Sequence, residues 1–358
     1  MKLALFGDIA LFGCCTTPEY FKVIGDYLSG FDYVVGNLET PFSKQKKTNG
    51  AKSAYIFAEP SNVTILKQLH INAVTLANNH MFDYGEEGYE LTKKLLEEAG
   101  IEWFGTEGKE LFEEVQGNKF SFAGFCCYTT NPLNCVPYGD YGVNAYNIER
   151  AKSFISMNKA TGYLPILAVH AGLEHVNYPS IDHIRAARQL AKSGNYVYYG
   201  HHPHVIQGVE EYEGSLIAHS TGNFCFDDVY SSVSKDKPLI DLTENNRTGM
   251  VLELTTDKGK VVSWKEQVIH IGKKGDGLHL IDTPQSIPEY NKELVNCEKQ
   301  IDVYNAKRKE ILDERIAERK AMRNIWWFLK RLRPRYIRLV MDMKKNVRWY
   351  NDNVKKYI

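Results

Sequence analysis

The 358-residue sequence has no apolar run approaching the roughly 18 residues that span a bilayer, no internal repeat, no low-complexity stretch and no C-x-x-C pair. These absences argue against a membrane-spanning helix, a solenoid, a disordered chain and a zinc knuckle. Cysteine is also sparse: the seven residues are an odd number and include the vicinal pairs Cys14/Cys15 and Cys126/Cys127. That pattern supplies no disulfide framework. The cysteines are therefore expected as small interior hydrophobes, and the chain is expected in a reducing cytoplasm. An excess of either charge is missing as well, with 44 basic and 44 acidic side chains. The balance is uneven along the chain. Residues 322–358 hold eleven Lys/Arg against two Asp/Glu, leaving 33 basic and 42 acidic residues in the rest. An acidic body is a poor nucleic-acid binder, because phosphate neutralisation dominates that affinity, so no nucleic-acid partner is expected.

What is present is a globular composition, 43% hydrophobic and 12% aromatic, enough for at least one sizeable core. The opening MKLALFGDIALFG looks like a secretion signal until Gly7 and Asp8 interrupt its apolar run; a charge there spoils such a segment. It reads instead as a buried first strand that delivers Asp8. Strands are expected at Leu3 to Phe6, Tyr33 to Val35, Ala73 to Leu76, Phe120 to Phe125, Ile166 to Val169 and Tyr196 to Tyr199. Helical patterns over Pro18 to Leu28, Pro60 to Leu69, Glu86 to Ala99, Ile148 to Asn158 and Ile181 to Lys192 alternate with them. This order predicts an α/β fold. After residue 208, turn signals predict hairpins pairing Val209 to Tyr212 with Leu216 to Ser220, and Met250 to Thr255 with Val261 to Val268. Pro284 to Pro288 marks a boundary, giving a domain over 1–283 and a basic, aromatic helical extension over 284–358. In that extension about thirty residues at helical spacing are followed by a tail that Pro334 breaks into two helices.

Polar, ligand-capable residues cluster where strands stop. Asp8, Glu39, Asn78-Asn79-His80, His170 and Gly200-His201-His202-Pro203-His204 each follow a strand. Ligands of open α/β sheets bind beyond the carboxyl ends of strands, so five separate segments are expected to meet at one crevice. Carboxylates suit hard divalent ions and imidazoles suit zinc, iron or manganese. In His202-Pro203-His204 an extended backbone would put both rings on one side, able to share one ion or to address two. Each residue taken singly has a structural explanation: a lone Asp after a strand caps a helix or forms a turn, and Asn78-Asn79 makes a turn. Their joint placement at strand ends favours a metal site.

In this order the segments resemble the CapA-like capsule-synthesis branch of the calcineurin-like metallophosphoesterase superfamily. The similarity covers roughly residues 1–270 and rests on Gly7-Asp8, Asn37-Leu38-Glu39, Ala77-Asn78-Asn79-His80-Met81-Phe82-Asp83-Tyr84-Gly85, Val169-His170-Ala171-Gly172-Leu173-Glu174, Gly200-His201-His202-Pro203-His204-Val205 and Ser220-Thr221-Gly222-Asn223-Phe224. The resemblance implies a four-layer α/β/β/α sandwich and divalent-metal ligands Asp8, Glu39, Asn79, His170, His202 and His204, with His80 beside the substrate. The ions it allows are manganese, zinc or iron, one or two in number. Two motifs depart from the wider superfamily: the usual Asp-x-His is Asp8-Ile9-Ala10, and the usual Gly-Asp is Gly36-Asn37.

The expected activity is that of a metal-dependent phosphoesterase-type hydrolase in capsule or other extracellular polymer biosynthesis, polysaccharide or poly-γ-glutamate. Metal-activated water attacks phosphorus and His80 protonates the leaving oxygen, a task suited to an imidazole. Asp83 fixes the loop or orients His80. Asn37, Asn78, Glu174 and Asn223 are expected to bind substrate or to support the ligands. The expected partner is a phosphorylated or lipid-linked polymer precursor. The interleaved Trp326, Trp327, Phe328, Leu329 and Arg331 to Arg338 suit an anionic membrane face or a synthase, which would bring a cytoplasmic protein to the inner face of the membrane. The alternative is a non-catalytic metal-binding accessory subunit of a polymer synthesis or export complex.

Overall fold

Strand β1 (Lys2–Ile9) is buried along almost its whole length, and the two sets of side chains on its faces explain the architecture of the computed structural model. Leu3 and Leu5 point into one apolar cluster, while Ala4 and Phe6 point into another, as strand alternation requires. The description covers residues 1–45, 48, 54–127, 130, 134–230 and 238–321, with positions 334, 337, 341, 344, 345 and 348 of the tail. The expected aromatic stretch from Trp326 to Leu329, and most of Arg331 to Arg338, lie outside these residues. Among the described residues no helix is long and apolar enough to cross a membrane.

Two mixed sheets result. The first contains β1, β2 (Tyr33–Leu38), β3 (Ala73–Thr75) and β4 (Glu102–Phe104). The strands of the second, in chain order, are β5 (Leu111–Val115), β6 (Asn118–Cys126), β9 (Leu164–His170), β10 (Val197–His201), β11 (Val209–Tyr212) and β12 (Ser215–Ala218), with the short pair β7 (Cys135–Val136) and β8 (Val143–Asn144) apart. The chain then returns to the first sheet through β13 (Asn223–Cys225), β14 (Thr248–Asp257), β15 (Lys260–Ile271) and β16 (Leu278–Leu280). The order in the first sheet is β16-β15-β14-β1-β2-β3-β4, with β13 also on β1; in the second it is β11-β12-β10-β9-β6-β5. Short strands such as β4, β13 and β16 were not expected from the sequence, since two or three apolar residues carry no period.

Between the sheets, Leu3, Leu5 and Val35 meet Phe122, Ile166 and Val197. On the outer face of the first sheet, Phe6 and Val34 pack against helices α1 (Lys22–Leu28), α2 (Val63–Gln68) and α3 (Gly85–Ala99) through Ile24, Leu66 and Leu96. On the outer face of the second, Phe125, Leu167 and Val169 pack against α4 (Ile148–Ala160) and α5 (Ile181–Ala191). The four layers are therefore α/β/β/α. Each fully buried large side chain contributes about 1.5–3 kcal/mol, which makes the inter-sheet layer a rigid base for what the strand ends carry. The helices start and stop where local chemistry dictates. Asn147 and Ser180 side chains accept from Arg150 N and His183 N, and α3 ends at Gly100, whose φ is 71°. The segments opening at Pro18 and Pro60 begin as 3-10 turns before becoming α-helical. The cysteines form no disulfide; five are buried, and Cys14 and Cys127 are half-buried.

Between residues 284 and 321 lie two helices, α6 (Ser286–Asn296) and α7 (Ile301–Ala321), where one was expected. Helix α6 covers the outermost strand of the second sheet: Val209 N donates to Asn291 Oδ1 at 2.7 Å, which blunts an exposed edge. Beneath it the Arg188 guanidinium donates to Glu210 Oε2 at 2.6 Å and to Leu294 O at 3.1 Å, and pairs with Glu298 at 3.1 Å. Burial works to raise the Glu210 carboxyl, but the hydrogen bonds from His219 and Arg188 hold it below the usual range. Removing one partner of a buried pair costs about 3 kcal/mol or more, so Glu210→Ala should lower stability by that order in thermal denaturation near neutral pH. Because the folded-state pKa is depressed, this contribution is complete above the unfolded carboxyl range. It is lost as pH falls through the folded value, and the gap in Tm between the two proteins should narrow there.

Candidate metal centre

The site begins at a change of neighbours along β1. Residues Leu3 to Phe6 pair with β14, but Asp8 and Ile9 pair with β13, Asp8 standing opposite Asn223. Gly7 permits the exchange: a Cβ there would lie 2.1 Å from Gly222 O. On its other side Asp8 pairs with Asn37 of β2. The same device recurs in β10, where a Cβ on Gly200 would lie 1.9 Å from His219 O. That close approach lets the chain turn directly after His201, which is in register with His170 of β9. The ends of β1, β2, β9 and β10 therefore converge, with the loop after β3 entering from the side.

Three overlapping groups of buried donors result: Asp8, His170 and His201; Glu39, His170 and His202; Asp8, Glu39 and His204. Within each, the donor atoms lie within 4.8 Å of one another. His170 Nε2 is 2.9 Å from Asn79 Oδ1, 3.1 Å from His202 Nδ1 and 3.8 Å from Glu39 Oε1. His204 Nδ1 is 3.2 Å from Asp8 Oδ2, and its Nε2 is 3.9 Å from Glu39 Oε1. Donors bound at about 2.1 Å to a common ion stand roughly 3–4 Å apart, so this set, two carboxylates with imidazoles and an amide oxygen, fits a divalent cation.

Supporting contacts fix the donors. Asn78 Nδ2 donates to Asn37 Oδ1 at 3.1 Å and Asn37 Nδ2 donates to Asp8 Oδ1 at 2.8 Å, a relay that aims the carboxylate. Asn78 Oδ1 also accepts from His80 N at 3.1 Å. Asn223 Oδ1 lies 2.9 Å from His204 Nδ1. His80 Nδ1 is 2.7 Å from Asp83 Oδ2, which also accepts from Ile56 N at 3.0 Å, while His80 Nε2 faces Glu39 Oε1 at 4.0 Å. Glu174 stands apart from the three donor groups, half-exposed at the rim, 4.0 Å from His175 Nε2. The loop carrying His202 and His204 departs from the extended backbone expected of it. His202 has φ 100° and His204 φ 56°, so a left-handed turn, not strand alternation, brings the two rings to 5.8 Å. Backbone held this way costs of order 1–3 kcal/mol per residue, and the surrounding hydrogen bonds, such as His202 N to Asp8 Oδ2 at 3.2 Å, hold it.

Burial drives the imidazoles toward the neutral form. It is the main cause for His170, pushed well below the usual range with help from neighbouring imidazoles, and it brings His202 down to about 3 and His201 to about 4. Neutral rings keep the lone pairs that ligation needs. His204 goes the other way: burial would lower it, but Glu39 and Asp8 raise it, and Asp8 is lowered in turn against the effect of its own burial. The set is balanced for a cation among the two carboxylates.

Reading strand ends placed His201 in the site without giving it a role, and missed Asn246 and His175. His201 lies in the His-rich run, and its Nδ1 is 2.7 Å from His170 Nδ1. His170 can bind an ion through Nε2 only with its proton on Nδ1, donated to His201; this makes His201 the group that sets the tautomer. Its Nε2 is buried without a hydrogen-bond partner. Asn246 Nδ2 donates to His204 O at 2.9 Å and lies 2.6 Å from His175 Nδ1. Asn246 precedes a strand and His175 sits in a loop with φ 63°, so neither obeys the strand-end signal.

Residues 4–228, more than half of the chain, match the family described as bacterial capsule synthesis protein PGA_cap. The chain is similar to the capsule biosynthesis protein CapA of Bacillus anthracis, 29% identical over 239 residues that make up 63% of this chain and 57% of that protein. It is also similar to the PGA biosynthesis protein CapA of Bacillus subtilis (strain 168), 28% identical over 238 residues, 64% of this chain and 62% of that one. The chain thus spans less than two thirds of these relatives' length. A crystal structure described as that of a novel phosphatase from Mycoplasma pneumoniae aligns with a TM-score of 0.44 and 14% identity, over 76% of this chain and 94% of that one.

Loss of the group that orients a ligating histidine typically weakens metal affinity about 10- to 100-fold. His201→Ala should show a loss of that order for manganese or zinc in competition titrations against a chelator, with the fold retained by circular dichroism. An unchanged affinity would remove His201 from this role.

Proposed function

Because the chain belongs to the bacterial capsule synthesis protein family, we propose that it is a metal-dependent phosphoesterase-type hydrolase acting on a precursor of a capsule or other extracellular polymer, polysaccharide or poly-γ-glutamate. The observation that carries this reading is the pairing of His80 with Asp83 at 2.7 Å immediately beside the buried donor set, its other nitrogen facing Glu39. A donor set alone would serve a structural ion; a histidine oriented by a carboxylate at its edge is the arrangement of a general acid or base. The residues that would hold the ion are Asp8, Glu39, Asn79, His170, His202 and His204. When bound, manganese, zinc or iron supplies positive charge against phosphoryl oxygens and makes water acidic enough to attack near neutral pH.

The chain's own groups do the rest. Asp83 fixes the His80 ring by holding Nδ1, so that Nε2 is presented toward the reacting side and passes its proton to the leaving oxygen. Asn37 and Asn78 keep Asp8 aimed, Asn223 keeps His204 aimed, and Glu174 lines the rim where substrate enters. The buried walls exclude bulk water, which strengthens each of these interactions.

A phosphorylated or lipid-linked precursor suits this chemistry, and the basic residues 322–358 suit contact with an anionic membrane face or a synthase. We place the protein in the cytoplasm on the same reading, peripheral to the inner face of the membrane.

The test pairs elemental analysis of protein purified without chelator with hydrolysis of a generic phosphodiester and phosphomonoester after loading with manganese, zinc or iron. Stoichiometric metal with turnover is expected. His80→Ala should lose about 10²- to 10⁴-fold in turnover while keeping its metal, and Asp8→Asn should lose the metal itself. Metal without turnover on any phosphoester would favour the accessory-subunit reading, and full turnover by metal-loaded His80→Ala would end the acid role.

A further inference from the structure

The ligand loop does not hold its own shape. Four successive carbonyls, those of residues 203–206, are each captured by a donor from elsewhere in the chain: Pro203 O by His175 N at 2.6 Å, His204 O by Asn246 Nδ2 at 2.9 Å, Val205 O by Ser220 Oγ at 2.8 Å and Ile206 O by Asn177 Nδ2 at 2.9 Å. With His202 at φ 100° and His204 at φ 56°, this backbone persists because its surroundings over-determine it. Among the four donors, Asn246 grips a residue of the donor set itself. It lies beyond residues 4–228, the segment that matches the family.

Asn246 is buried, and both polar atoms of its side chain are bonded. Its Oδ1 accepts from the Thr243 hydroxyl at 2.8 Å and from Thr243 N at 3.3 Å. Thr243 N can only donate and His204 O can only accept, so the amide has one orientation, with Nδ2 toward His204. One Nδ2 proton goes to His204 O and the other to His175 Nδ1 at 2.6 Å. His175 therefore accepts on Nδ1, which fixes its tautomer while its own N–H holds Pro203.

The main-chain carbonyl of Asn246 accepts from Asn223 Nδ2 at 2.9 Å, and Asn223 Oδ1 lies 2.9 Å from His204 Nδ1. Residue 246 thus holds His204 twice, its backbone directly and its imidazole through Asn223. The atom left for an ion is His204 Nε2, on the side of Glu39 Oε1 at 3.9 Å. A donor set binds tightly when its atoms are already spaced for the ion, since otherwise binding has to order them.

We propose that Asn246 is a positioning residue of the metal centre: it holds the turn that presents His204 and so sets the affinity for the divalent ion without touching it. The centre then depends on the segment between β13 and β14, most of which lies beyond the family-matched residues. The inference rests on the reading of the site as a metal centre, whatever chemistry the ion serves.

The test is the affinity of the full chain for manganese or zinc, by competition against a chelator. Asn246→Ala should bind about 10-fold more weakly, the loss typical when a group that orients a ligand is removed. Asn245→Ala is the control. Its amide pairs with that of Asn177 at 2.7 and 3.2 Å in the same loop, so its removal should change affinity by less than about twofold. With cobalt(II) as the probe, the visible spectrum of Asn246→Ala should shift in the same sense as that of His204→Ala, because both disturb one ligand. A merely structural loss leaves that spectrum unmoved. Unchanged affinity in Asn246→Ala overturns the role, as does an equal loss in Asn245→Ala or an unmoved cobalt spectrum; each leaves the metal reading intact. Failure of the starting protein to bind any of these ions overturns both. Should Asn246→Ala fail to fold, Asn246→Ser gives the same comparison.

Discussion

Asp8 sits where β1 gives up one hydrogen-bonded neighbour for another, and the rest of the site depends on that exchange. Because β14 holds β1 only as far as Phe6 and β13 takes over at Asp8, the carboxylate is fixed by backbone on both sides. The absence of a side chain on Gly7 is what lets the two ladders meet. The exchange also brings Asn223 beside Asp8, and through Asn223 it governs His204. A site assembled from strand ends inherits the rigidity of the sheets beneath it, here an inter-sheet layer of closely packed aliphatic and aromatic side chains.

Electrostatics then makes the pocket selective for a cation. Two carboxylates and several imidazoles are taken out of water together, which is costly for any of them charged alone. Burial favours the neutral form of His170, His201 and His202, while Glu39 and Asp8 favour positive charge at the position of His204. The second charged network, Arg188 with Glu210 and Glu298, does a different job: it fastens α6 against the edge of the second sheet and so fixes where α7 begins.

The layers of the fold were legible because short apolar runs, buried on both faces, alternate along the chain with helical patterns, and β1, β2, β6 and β9 are such runs. Their C-terminal residues were legible for the same reason, since a polar residue that ends an apolar run has only the crevice to enter. What was not legible has physical causes. The three-residue strands β4 and β13 are too short to show a period and exist because neighbouring strands offer them partners. His202 to His204 looked extended, because nothing local announces φ values of 100° and 56° in histidine. They are held by hydrogen bonds to residues distant in sequence: His202 N donates to Asp8 Oδ2, and Pro203 O accepts from His175 N. The break between α6 and α7 likewise follows from tertiary packing and not from any Pro or Gly.

By itself, then, the sequence determined that the chain makes an α/β fold and that Asp8, Glu39, His170 and the His-rich loop stand at strand ends, because burial and periodicity are local in sequence. Only the tertiary structure decided how those residues face one another. It alone made His201 the partner of His170 and hung Asn246 from the ligand loop. Each of these depends on contacts between elements separated by tens of residues, and no local pattern encodes a distance of that kind.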